Sequence, residues 1–69
     1  MTTWQAERFA SEHQAEVIRV ECTFGTFSGR PYGVRFDPRE RRLCLRLRGR
    51  RGEPCRSIPV AAISTLAVA

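Results

Sequence analysis

Apolar positions recur at helical spacing at the start of this chain and at every second residue after it. Ala6, Phe9, Ala10, His13 and Val17 follow the helical period, while Glu7, Arg8, Glu12 and Gln14 fall elsewhere. Thr2 followed by Gln5 has the form of a capping box, and Thr3 is a second candidate cap. The spacing predicts a helix over about residues 3–14 with one face packed on something larger.

The period then drops to two. In "EVIRVECTF", Ile18, Val20, Cys22 and Phe24 alternate with Val17, Arg19, Glu21 and Thr23, which predicts a half-buried strand. "GTFSGRP" carries two glycines and a proline and reads as a turn or a bulged strand entry. "YGVRF" resumes the alternation with Tyr32, Val34 and Phe36 inward. "DPRER" is a turn, with Pro38 suited to its second position. "RLCLRLR" is the clearest strand: Leu43, Leu45 and Leu47 point one way, Cys44, Arg46 and Arg48 the other. After the turn "GRRGEP" comes a short strand, "CRSIPV", which Pro59 places at an edge or ends. "AAIS" fits one helical turn before a last strand, "TLAVA".

The expectation is one domain, residues 1–69: mainly β, with one N-terminal α-helix and a small five-stranded antiparallel barrel over about 16–69. A chain of 69 residues has a thin core, since folding at this size buries only about 60% of the unfolded surface. Closure into a barrel would remove exposed strand edges. In it the helix caps one open end, with Phe9 and Ala10 over Ile18, Val20, Leu43 and Leu45.

Charge adds a second theme. The twelve basic residues are all arginine, and the net charge is +5. Arginine offers a planar fork of donors that suits phosphates and carboxylates and stacks on bases. Such a charge on a small domain attracts polyanions. The three cysteines form no C-x-x-C pair and, with His13, no zinc spacing. No metal or cofactor is expected. No apolar run approaches membrane-spanning length, and no signal-peptide core follows Met1. These features predict a reduced, cytoplasmic protein with free thiols and no membrane contact.

Three segments carry a family resemblance. "VRFDPRERRLCLRL" resembles the "-FD-…-ILL-" segment of Hfq-type RNA chaperones. "IPVAAISTLAV" is similar to their closing "AIST" segment, through Ala62, Ile63, Ser64 and Thr65. The helix-then-five-strands order resembles the Sm-like small β-barrels as a whole. Where Hfq proteins carry a Tyr-Lys-His triplet that holds uridine-rich RNA, this chain has Pro59, Val60 and Ala61. Gly52, Glu53, Arg56, Ile58 and Ile63–Leu66 are similar to the ending of Rof-type Rho-binding antiterminators, a usually acidic group. "RPYGVRFDPRERRLCLRL" resembles a stretch of WYL-type regulatory barrels. The resemblance implies an Sm-like barrel, as a ring or a monomer, with RNA or a transcription factor as partner.

The candidate site follows from the arginine cluster. Arg41, Arg42, Arg46, Arg48, Arg50, Arg51 and Arg56 would form a positive stripe that contacts phosphates of RNA or another polyanion. Phe27, in the expected turn, is the aromatic best placed for base stacking; Phe24, Tyr32 and Phe36 are expected in the core. The other reading is a protein-interaction module that modulates a transcription or termination factor without binding nucleic acid. With one histidine, no triad and no phosphate-cradling glycine loop, no enzyme is expected. Cys44, placed by alternation among arginines, is the thiol expected to be activated.

Overall fold

The computed structural model describes residues 1–49 and 51–69. Helix α1 (Thr3–Glu12) leads into β1 (Ile18–Cys22), β2 (Gly25–Asp37), β3 (Arg42–Arg48) and β4 (Arg56–Pro59). A 3-10 turn (Val60–Ala62) then connects to β5 (Ile63–Val68). All ladders are antiparallel, and the strand order is β4-β3-β2-β1-β5. The fold is mainly β with one N-terminal helix, as the periodicity predicts.

The capping box forms. Thr2 Oγ1 accepts from the Gln5 backbone N–H at 3.1 Å, and Gln5 Oε1 accepts from the Thr2 N–H at 3.0 Å. Two orphan donors of the first turn are thereby satisfied. The helix stops at Glu12, two residues short of the expected end, because His13 leaves helical geometry at φ −126°. Ala6 and Ala10 are buried, and their small side chains let the helix lie close on the sheet. Ala10 joins Ile18, Val20, Leu45, Leu47, Ile58 and Ile63 in the core, with Phe9, Phe27, Val34 and Leu66 packed around it.

Strand β2 departs most from the simple alternation. "GTFSGRP" is not a turn; it is the first half of a 13-residue strand, and the reversal occurs at Thr23–Phe24. The first half of β2 pairs with β1 and the second half with β3. Opposite Leu47 stands Pro31, but opposite Leu45 stands Val34, with Gly33 against Arg46. β2 thus spends one residue more than β3 over the same length, and Tyr32 is that extra residue. This is a β-bulge, and it bends the strand. Gly33 meets the bend with φ +131°, a conformation other residues rarely adopt. The inward phase of β2 switches at this point, from Phe27 and Pro31 to Val34.

The connection from β4 to β5 shows that the sheet curls. These strands are its two edges, yet only Val60–Ala62 separates them. From Pro59 to Ile63 the chain reaches at most about 14 Å. The edges of a flat five-stranded sheet would lie about 19 Å apart. The curl does not become closure, however. Among the described residues no ladder joins β4 to β5, so the described sheet is curled but not closed. Pro59 ends the edge strand β4, as its missing N–H requires.

Four side-chain placements are also corrected. Phe24 is 58% exposed because it sits in the β1–β2 reversal, beyond the strand. Phe36 and Leu43 share the inward phase of Val34 and Leu45 but run past the end of the core, and they are 60% and 42% exposed. Cys44 is fully buried although it lies on the face opposite Leu45. Its short side chain stands between Arg35 and Pro59, its neighbours across the two ladders.

Candidate nucleic-acid interface

The bulge and the curl bring one group of arginines together. Arg30 of β2 stands directly opposite Arg48 of β3. Like charges in this position repel. Among the described residues no carboxylate forms an ion pair with Arg30, Arg46, Arg48, Arg51 or Arg56. Three other arginines are compensated: Arg8 pairs with Glu12 at 2.9 Å, Arg19 with Glu21 at 3.5 Å and Arg42 with Glu40 at 3.6 Å. Among the described residues Arg35, Arg39 and Arg41, toward the β2–β3 hairpin, also lack an ion-pair partner.

Arg30, Arg48, Arg51 and Arg56 line one cleft of about 400 Å³, with Leu47 and Glu53. The loop that carries Arg51 closes tightly. A Cβ at Gly49 would collide with the Glu53 and Pro54 carbonyl oxygens, so only glycine allows that approach. Arg56, the first residue of β4, holds its guanidinium over the Phe27 ring at 4.4 Å. Phe27 in turn meets the exposed Phe24 ring at a centroid distance of 5.7 Å. An aromatic edge thus borders the cleft.

A second cluster adjoins it through Tyr32. As the extra residue of the bulge, Tyr32 reaches the outer face, where Arg46 and Arg48 lie over its ring at 5.4 and 5.5 Å. Arg46 Nε is buried without a hydrogen-bond partner among the described residues. Burial is the first cause raising the Tyr32 hydroxyl pKa, followed by its hydrogen bond with Cys55. The same hydrogen bond is the main cause lowering the Cys55 thiol, aided by the Gly49 backbone and by Arg46 and Arg48.

The expected stripe is thus divided. Arg48, Arg51, Arg56 and Phe27 meet at the cleft, and Arg46 lies beside it across Tyr32. Arg41 and Arg42 lie at the other end of β3, Arg41 in the hairpin turn with φ +56°. Arg50 lies outside the described residues. Phe27 is not in a turn; it is half-buried in β2, opposite Val20, because the strand begins at Gly25. Arg30 escaped the sequence reading. Alternation within "GTFSGRP" itself, with Phe27 and Pro31 inward, places it outward, and that was the available signal.

The reactive thiol is also reassigned. Burial, with the charges of Asp37 and Glu40, raises Cys44, so it is inert in the folded state. Cys55 is exposed and lowered, and its thiolate forms at a lower pH than that of a free thiol. In timed alkylation with iodoacetamide across pH 6–9, Cys55 is expected to label first and Cys44 only on unfolding. Equal labelling of both in the folded protein would contradict these placements.

Comparison with known protein families, curated proteins and solved structures found no match to the chain. Among the described residues no three His, Cys, Asp or Glu side chains group as a metal site, and no helix is long and apolar enough to cross a membrane.

Proposed function

We propose that this protein binds single-stranded RNA in the cytoplasm, as a small Sm-like regulator, through the cleft of Arg30, Arg48, Arg51 and Arg56. The observation that carries the reading is the convergence of four uncompensated arginines on one cleft. A polyanion relieves the repulsion between Arg30 and Arg48 and exchanges counterions for phosphates. The bordering Phe24–Phe27 edge supplies a stacking platform, which suits unpaired bases and not a duplex. Glu53 gives the cleft an acceptor for a ribose 2′-hydroxyl, the group that separates RNA from DNA. The strand order and the curl support the Sm-like reading of the fold, with β4 and β5 at its open seam.

Fluorescence anisotropy with a labelled U-rich or A-rich RNA tests this. Four phosphate contacts on a single strand give a log–log salt slope of about −2.8, an affinity loss of about 50-fold between about 50 and 200 mM salt. A flat salt response, or no binding at the lower salt, would overturn the reading.

A further inference from the structure

A second surface lies at the far end of β3. Phe36 and Leu43 are directly opposite each other across β2 and β3. Both are exposed, on the face that carries Val34 and Leu45 into the core. The apolar face of the sheet therefore continues past the point where α1 covers it. Beside Leu43 runs a shallow groove of about 330 Å³ lined by Met1, Thr3, Arg42, Leu43, Val60 and Ala61. Its floor is aliphatic. The hairpin at its end carries Arg39, Arg41 and Arg42. Asp37 is absorbed by its own turn, accepting from the Arg39 N–H at 2.8 Å, and Glu40 faces Arg42. Among the described residues Arg39 and Arg41 have no ion-pair partner.

We infer that this groove docks an acidic amphipathic segment of a partner protein. Its apolar side chains would cover Phe36, Leu43 and Met1, and its carboxylates would meet Arg39, Arg41 and Arg42. Charge complementarity selects the partner: an apolar floor beside a hairpin of three arginines, of which Arg42 faces Glu40 and Arg39 and Arg41 have no partner among the described residues, attracts carboxylates and repels a basic segment. The aliphatic floor sets this site apart from the RNA cleft. A base laid on Met, Leu and Ala side chains would bury its polar edges without partners, whereas a leucine or phenylalanine loses nothing there. The site shares no residue with the cleft and does not rest on RNA binding.

The test uses three fluorescein-labelled amphipathic peptides of equal length. They share leucine and phenylalanine on one face and carry Glu, Gln or Lys at every polar position. The Glu peptide is expected to bind, the Gln peptide about tenfold more weakly, and the Lys peptide not at all. Phe36→Ser with Leu43→Ser is expected to weaken the Glu peptide at least about tenfold. These positions are exposed, so circular dichroism should show an unchanged fold, and RNA affinity should be unaltered. Equal binding of the three peptides, no binding of the Glu peptide up to millimolar concentration, or displacement of that peptide by U-rich RNA would overturn the inference.

Discussion

A variant carrying R30Q, R48Q, R51Q and R56Q together is expected to lose about 100-fold or more in affinity for single-stranded RNA and to keep its fold. All four side chains lie on the cleft, and among the described residues none holds a carboxylate. Their removal takes away donors to phosphate without orphaning a partner. The informative contrast is between two double variants. R30Q/R48Q and R8Q/R19Q remove the same charge, but Arg8 and Arg19 already pair with Glu12 and Glu21. If position decides binding, R30Q/R48Q lowers affinity and flattens the salt slope by about 1.4, while R8Q/R19Q leaves the slope alone. If net charge decides, the two variants behave alike. R30Q/R48Q should also raise the melting temperature, because it relieves a like-charge pair held face to face across a ladder. A gain in stability coupled to a loss of binding marks a site kept for its ligand.

Leu45→Ala is expected to cost about 2–5 kcal/mol. Total stability for a domain of this size is on the order of 3–10 kcal/mol. One substitution thus removes about half of it, and the urea midpoint followed by circular dichroism should fall accordingly. Leu45 is fully buried between Ile58 and Val34, its neighbours in the two flanking strands. Leu43→Ala, two residues earlier on the same face, should cost less than about 1 kcal/mol, since Leu43 is exposed. Equal losses at the two positions would mean that the core extends along the whole of β3, and the exposed apolar groove would not exist.

Local chemistry was legible in the sequence where a single element decided it. The Thr2–Gln5 box, the alternation of "RLCLRLR" and the edge position of Pro59 all depend on residues close in the chain. The misses share one cause. Alternation assumes an unbroken strand that is covered along its full length. The bulge at Tyr32 shifts the phase of β2 by one residue, and nothing in "RPYGV" states that Gly33 takes positive φ. Phe36 and Leu43 keep the right phase, but the core ends before it reaches them, and that limit is set by where α1 and the curl of the sheet fall. Cys44 is hidden by its cross-strand neighbours, which only the register reveals. The candidate site was half legible for the same reason. The cluster from Arg41 to Arg56 is plain in the sequence, but its division into a cleft and a separate hairpin, and the recruitment of Arg30, follow from the pairing of β2 with β3.

The most direct test of the central claim is an NMR titration of the ¹⁵N-labelled protein with a short U-rich RNA, following backbone amides and arginine Nε–H signals together. The RNA-binding cleft predicts shifts at Arg30, Arg48, Arg51 and Arg56 and at Phe24 and Phe27, with Arg8 and Arg19 unmoved. Shifts centred on Arg39, Arg41 and Phe36, or spread evenly over all arginines, would contradict it.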